Sequence, residues 1–339
     1  MKTFLMICFF VLFLFPFSLA EEPAQNISFA LVGDILLGTD YPDSTWLPED
    51  EGRHLLKYAQ DILSSADVAI GNLEGAITSA DSCMKIIDSI TYAYRMPPFL
   101  APRLAEAGFD VLNTANNHAG DFGIEGRLET ESILDSLGIA HTGRYGDIAT
   151  LEVRGLQIAV VGFSTFRGTY SLLDINNAAK LTKSLDSRFE IVVVTFHGGA
   201  EGKQYVHLPD GLEYFLGEKR GDLRLFAHRM VDAGADVVFG HGPHVPRAVE
   251  LYKRKIIAYS LGNFCTWFGI DVRGIKGLAP LIWIELDSKG DLVSMKIVSF
   301  EQQTCHYPLP DPERKAEKLI INLSETDIGV YPFNLLRKD

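Results

Sequence analysis

The chain has 339 residues, with 31 Lys and Arg against 44 Asp and Glu, and a formal net charge of -13. Its 47% hydrophobic and 22% charged content is that of a globular protein able to bury a sizeable core. That mix excludes a disordered chain, a collagen-like chain and a polytopic membrane protein. The acidic balance also speaks against nucleic acid as a partner, because a broad grip on phosphates needs surplus Lys and Arg.

The N-terminus reads as a targeting segment. Lys2 precedes an apolar run from Phe4 to Phe17, and Ser18-Leu19-Ala20 places small residues where signal peptidase cleaves. The expectation is a secretory signal over residues 1–20 and export to the periplasm or the medium. An uncleaved N-terminal anchor is the alternative, since the run is only slightly short of a membrane span. Outside this segment lie Cys83, Cys265 and Cys305, widely spaced and odd in number. They make neither a disulfide framework nor a zinc-ribbon spacing, and one pair among them could be joined.

Next, short apolar runs alternate with helical patterns, which predicts an α/β fold. The predicted strands are 27–32, 68–70, 111–112, 158–163, 191–196, 237–239 and 256–259. The predicted helices include 55–63, 98–107, 124–137 and 222–233. Gly108 and Gly234 each follow a helix and lead at once into a strand, as a left-handed cap requires. Beyond residue 247 the pattern predicts successive antiparallel strands at 248–252, 256–259, 281–286 and 292–299, with a hairpin turn at Ser288-Lys289-Gly290-Asp291. One domain over residues 26–303 is expected, followed by an extension over 304–339 with a surface helix and an irregular end.

Five of the strands run into loops rich in metal-ligand side chains. They deliver Asp34; Asn72 and Glu74; Asn116-Asn117-His118; His197; and His241 with His244. Each has a plain alternative: Asp34, Asn72 and Glu74 suit turns, Asn116 and Asn117 tolerate left-handed backbone, and His197 could be a satisfied strand-end histidine. Together they are harder to dismiss, because ligands of open α/β sheets bind at the carboxyl ends of strands. Asp34, Glu74, Asn117, His197, His241 and His244 form a donor set suited to a divalent Mn, Zn or Fe ion. Six ligands also allow two ions sharing a carboxylate. The expected chemistry is hydrolysis, with His118 free to protonate a leaving group and Asp121 to orient it.

The blocks Gly33-Asp34-Ile35-Leu36-Leu37-Gly38, Gly71-Asn72-Leu73-Glu74-Gly75, Ala115-Asn116-Asn117-His118, His197-Gly198-Gly199-Ala200-Glu201, Gly240-His241-Gly242-Pro243-His244 and Tyr259-Ser260-Leu261-Gly262-Asn263-Phe264 resemble, in order, those of the bacterial capsule-synthesis CapA (poly-γ-glutamate biosynthesis, PgsA-like) family. The resemblance implies kinship with calcineurin-like metallophosphoesterases and a two-sheet sandwich flanked by helices (α/β/β/α). By similarity Glu74 bridges, Asn117, His197 and His241 hold one metal, Asp34 and His244 the other, and His118 gives the proton. The sequence departs from the phosphoesterase pattern at Leu36, where a histidine would stand, at Glu74 in place of Asp, and in the two residues between His241 and His244. Gly198 replaces the usual Trp and is expected to open the pocket.

The implied role is the handling of an anionic extracellular polymer or a phosphoester. Membrane-bound polymer-synthesis proteins are a second class of partner. Of the loop arginines Arg95, Arg127, Arg144, Arg167, Arg247 and Arg273, the best candidates for bidentate anion binding are Arg95 and Arg247. With Asn263 they make the expected substrate set. Two functions follow as expectations: an exported metal-dependent hydrolase, or a non-catalytic accessory of a polymer synthesis and export machine.

Overall fold

A computed structural model describes residues 26–86 and 92–329. The expected signal over residues 1–20 lies outside them. Two β-sheets face each other. The first is eight-stranded and runs Leu309–Pro310, Leu292–Glu301, Leu278–Leu286, Ile27–Leu36, Val68–Leu73, Val111–Asn113, Ala140–Thr142, with Asn263–Thr266 beside the end of Ile27–Leu36. The second is seven-stranded and runs Val249–Tyr252, Lys255–Ala258, Val237–His241, Ile191–His197, Leu156–Ser164, Ala149–Val153, with Tyr170–Ser171 beside Leu156–Ser164.

Alternation along the strands assigns each side chain to a layer. Phe29 and Leu31 join Ile70, Val160, Val193 and Phe239 in the core between the sheets. Their neighbours Ala30 and Val32 point the other way, into a second core with Leu63, Leu104 and Leu134. Those leucines come from the helices Gln60–Leu63, Pro102–Ala107 and Gly123–Ser136, which cover the first sheet. Val161, Val192 and Val238 make a third core with Leu185 and Phe226 of the helices Ile175–Asp186 and Leu223–Asp232. The result is the expected α/β/β/α arrangement. Each fully buried apolar side chain of this kind contributes roughly 1.5–3 kcal/mol.

Local chemistry fixes the helix ends. Asp174 accepts from the Asn177 N–H and Asp222 from the Leu225 N–H, two side-chain N-caps. Gly108 closes its helix at φ 91°, and a Cβ there would sit 2.8 Å from the Ser64 Cα.

Several elements differ from expectation. Residues 55–63 are mostly turns, with α-helix only at Gln60–Leu63. The helix Ile175–Asp186 and the strands Ala140–Thr142, Ala149–Val153 and Asn263–Thr266 add to the predicted set. The four late strands do not form one antiparallel run. Lys255–Ala258 pairs antiparallel with Val249–Tyr252 but parallel with Val237–His241, whereas Leu278–Leu286 and Leu292–Glu301 form a hairpin in the other sheet. Strand type was legible, but the choice of sheet is made by tertiary packing.

The tail is not a surface helix. Lys315–Asp327 docks with Ala316, Ile320 and Leu323 buried, Ile320 in the core between the sheets and Leu323 in the outer core of the second. Its Ser324 hydroxyl accepts from the Val249 N–H at 2.8 Å. Cys83, Cys265 and Cys305 are free thiols. Among the described residues no helix is long and apolar enough to cross a membrane.

Candidate metal centre

The two sheets meet at the carboxyl ends of their parallel strands, and the polar loops collect there. Ile27–Leu36 carries Asp34 past a close backbone crossing, where a Cβ on Gly33 would lie 2.0 Å from the Gly262 oxygen. The Asp34 N–H donates to that same oxygen at 2.8 Å. Pairing with both neighbouring strands is irregular at Asp34, the kind of local kink found beside functional sites. Val68–Leu73 leads to Glu74, pinned by its N–H to the Ile35 oxygen at 2.9 Å. His197 and His241 end adjacent parallel strands and lie in register with each other.

Asparagines hold the two carboxylates. Asn72 Nδ2 donates to Asp34 Oδ1 at 2.8 Å and to Glu74 Oε2 at 2.6 Å. Its own Oδ1 accepts from Asn113 Nδ2 at 2.8 Å and from Asn116 Nδ2 at 3.1 Å. Asn116 also shapes the next loop, its Oδ1 accepting from the N–H groups of His118 and Ala119. These three residues are scaffolding for the acids. The sequence places Asn72, Asn113 and Asn116 at the strand ends without showing that use.

Around the carboxylates sit donors with nothing to bind. The His197 Nδ1 lies 3.6 Å from Glu74 Oε2 and the His241 Nδ1 lies 3.4 Å from Asp34 Oδ1, both side chains fully buried. Neither ring nitrogen of either histidine makes a hydrogen bond, and Glu74 Oε1 and Asn117 Oδ1 are buried without one as well. Asp34, Glu74 and His197 can bring one ligand atom each within 4.8 Å of the others. An unsatisfied buried polar group costs about 1–3 kcal/mol, so the five such atoms of His197, His241 and Glu74 gathered at the two carboxylates call for an occupant. Carboxylate, imidazole and amide oxygen together fit a divalent transition metal.

His244 completes the cluster from a left-handed position at φ 55°. Its Nδ1 is 2.9 Å from Asp34 Oδ2 and 3.0 Å from Asn263 Oδ1. Asn263 Nδ2 donates to the backbone oxygens of His244 and Lys276. Asn263, expected on the substrate, thus braces His244. Burial and the Asp34 charge push the Glu74 carboxyl up to about 8. Burial alone would lower His244, but hydrogen bonding to Asp34 lifts it to about 10. Burial works to raise Asp34 too, and His241 and His244 outweigh it, holding that carboxyl well below its ordinary range. Burial drives His197 well below 6.5. In this protonation state the Glu74 proton and the His244 charge offset Asp34, and both protons sit where a cation bound to the same groups would displace them.

His118 stands beside the cluster, its Nε2 3.9 Å from Glu74 Oε1 and its Nδ1 2.8 Å from Asp121 Oδ2. Burial lowers its pKa against the opposing pull of Asp121, which favours the neutral imidazole. Lys85 Nζ reaches Asp121 Oδ1 at 2.6 Å and the Tyr92 oxygen at 3.0 Å, and lies 3.1 Å from His118 Nδ1. A cavity of about 690 Å³ opens over the cluster, lined by Asn117, His118 and His244 and walled by Tyr92, Arg220 and Lys276 among others. Lys85, Tyr94, Arg220 and Lys276 escape a reading of the sequence. They sit in segments without periodicity and reach the site only through the fold.

Three expectations need correction. Arg247 does not face the cavity: it is fully buried, with Nη1 and Nη2 each 2.8 Å from a Glu213 oxygen and Nε donating to the Tyr205 oxygen. Arg95 is engaged by Asp40 and Asp81 and lies over the Phe122 ring, outside the cavity lining. Gly198 does not open the pocket, because a Cβ there would meet the Arg220 oxygen at 2.8 Å with Leu172 and Leu223 close behind.

A two-sheet α/β sandwich with a buried histidine–carboxylate cluster at its strand ends is therefore the class of protein defined here. Residues 28–266 match the family described as "Bacterial capsule synthesis protein PGA_cap", and the chain belongs to that family. It is 29% identical over 256 residues to the PGA biosynthesis protein CapA of Bacillus subtilis (strain 168), covering 70% of this chain and 63% of that one. It is 30% identical over 264 residues to the capsule biosynthesis protein CapA of Bacillus anthracis, covering 71% and 60%. The chain thus spans less than two thirds of the length of these relatives. A 5'-nucleotidase precursor from Thermus thermophilus aligns over 90% of this chain and 59% of its own at TM-score 0.47 and 12% identity, a likeness too loose to bear on function.

Proposed function

We propose that this protein is an exported, metal-dependent hydrolase that cleaves a phosphoester or an amide bond of an anionic polymer in capsule or poly-γ-glutamate metabolism. The observation that carries the reading is the set of unpartnered buried donors on His197, His241 and Glu74 around Asp34. One or two Mn, Zn or Fe ions held by Asp34, Glu74, Asn117, His197, His241 and His244 would generate hydroxide near neutral pH and stabilise a developing negative oxygen. The chain's own groups supply the rest. Once it has taken a proton from solvent at Nε2, His118 can pass that proton to the leaving group while Asp121 holds Nδ1 and steadies the imidazolium. Lys276, whose one ion-pair partner among the described residues is Asp271 at 3.0 Å, offers the cavity a cation for an acidic substrate.

The rival reading is a non-catalytic partner of membrane-bound polymer-synthesis proteins. It draws on Leu36, which is fully buried in the outer core where a ligand histidine would otherwise stand. Metal content of residues 21–339, measured by elemental mass spectrometry beside His241→Ala, separates the two. Stoichiometric metal in the wild type and its loss in the variant support the hydrolase, which would next be screened on phosphoesters and γ-glutamyl amides. Wild-type protein that stays metal-free after supplementation with Mn, Zn and Fe sinks it. Sequencing the N-terminus of the exported protein tests cleavage after Ala20.

A further inference from the structure

Tyr94 is 5% exposed, and its contacts converge on the groups around the cavity. Its backbone N–H donates to Asp121 Oδ2 at 2.8 Å, the same oxygen that faces His118 Nδ1. Its ring lies on the His118 imidazole, with centroids 4.2 Å apart. Its hydroxyl donates to the Gly269 oxygen at 2.9 Å, 175 residues along the chain. Gly269 begins the stretch that lines the cavity with Ile270, Asp271 and Lys276. The ring also demands that glycine, since a Cβ on Gly269 would come within 2.7 Å of Tyr94 Cε1. On its other side Tyr94 packs against the ligand loop: a Cβ on Gly75, next to Glu74, would lie 3.1 Å from Tyr94 Cβ, and the Ala76 N–H donates to the Tyr94 oxygen.

We propose that Tyr94 is the positioning residue of the proposed hydrolytic site, fixing the His118–Asp121 pair and tying it to the 269–276 wall so that proton donor and substrate wall move as one body. The inference rests on the hydrolase reading for its catalytic meaning, though not for its geometry. His118 is held at Nδ1 by Asp121 and on its face by Tyr94, which leaves Nε2 as the atom to meet a leaving group. An imidazole without the ring against its face could still bond Asp121 but would be free to swing about that bond. Misplacement of a reacting group by about 1 Å is worth on the order of a hundredfold in rate.

The test compares Tyr94→Phe and Tyr94→Leu in the otherwise unchanged chain, with metal content and melting temperature recorded for each. Two readouts are taken: kcat and KM on whichever substrate the wild type turns over, and the downfield proton resonance of the His118 Nδ1–H, assigned by its absence in His118→Gln. Tyr94→Phe keeps the tilted ring against His118 and loses the Gly269 tie. It is expected to retain the resonance and most of kcat, with KM raised several-fold as the wall loosens. Tyr94→Leu is expected to broaden or shift the resonance and to lower kcat by roughly tenfold to a hundredfold at unchanged metal content. A Tyr94→Leu protein with wild-type resonance and wild-type kcat overturns the proposal. So does one whose loss of kcat is matched by loss of metal, since Tyr94 would then only be supporting the fold. If the wild type turns over nothing, the hydrolase reading fails, and the resonance still decides whether Tyr94 positions His118.

Discussion

Asp34 and His244 are 210 residues apart in the chain and meet at 2.9 Å, Oδ2 to Nδ1, where the two sheets close on each other. No local property of either residue explains that contact. It exists because Ile27–Leu36 belongs to one sheet, the loop after Val237–His241 belongs to the other, and the core between them sets their spacing. The pair also has its proton held in place by a buried carboxylate. A cation entering the cluster competes with that proton, because metal ligands must be deprotonated.

Metal should therefore act as a stabiliser of the folded state. At a hundredfold excess over its Kd an ion that binds only the native protein adds about 2.7 kcal/mol. Thermal melts of the wild type should rise on titration with Mn or Zn, and melts of Asp34→Ala should not. A variant that still shows the full rise would remove Asp34 from the ligand set.

The Arg247–Glu213 pair makes the opposite kind of prediction, about structure alone. Both groups are buried, and Glu213 Oε2 also accepts from the Ala200 N–H at 2.9 Å. Arg247→Met leaves a buried carboxylate unpaired and should cost about 3–5 kcal/mol in urea unfolding. Adding Glu213→Gln removes the charge while keeping an acceptor for Ala200, and should recover a large part of that loss. If Arg247→Met instead left stability intact and raised KM, the expectation of a substrate-binding Arg247 would be right after all.

How much of this was legible follows a simple physical line. His197 and His241 were readable because each ends a run of residues that only a buried strand accepts, so a polar ligand there has no local excuse. Glu74 and Asp34 were readable for the same reason. Asn72 was visible in its loop, yet its use was not, because that depends on Asn72 facing Asn113 across the pairing of Val68–Leu73 with Val111–Asn113. Arg247 misled by its closeness to His244 in sequence. Its N–H donates to the Ser260 oxygen and the chain carries the side chain inward, away from the cavity. Lys85 and Tyr94 carry no pattern at all and meet His118 only when the fold is complete.

His141 supplies a pH dependence away from the cluster. Its Nδ1 faces Asp147 Oδ2 at 3.0 Å and its Nε2 faces Asp135 Oδ1 at 3.3 Å. The hydrogen bond to Asp147, opposed by partial burial, raises the imidazole above its ordinary 6.5. A raised histidine stabilises the fold fully below its unfolded pKa, and that contribution disappears as pH climbs through the folded value. The wild type should therefore lose more stability than His141→Gln when unfolding is followed upward from about pH 6 to about pH 8. Parallel slopes for the two proteins would dismiss the contribution.

The docked tail gives a last prediction, and it concerns where the folding unit ends. Sequence patterning puts the boundary near residue 303, yet Ile320 of Lys315–Asp327 is fully buried between the sheets and the helix packs on Leu278–Leu286, Leu292–Glu301 and Val249–Tyr252. Those strands flank both sheets, so the helix closes one side of the sandwich rather than trailing from it. Truncating a buried aliphatic side chain of this size leaves a cavity and costs about 2–5 kcal/mol. Ile320→Ala should lower the urea midpoint of the whole protein in one cooperative transition, including the signal from Trp283 on the first sheet. A separate early transition that spared Trp283 would show the helix to be an appendage, and would return the boundary to residue 303.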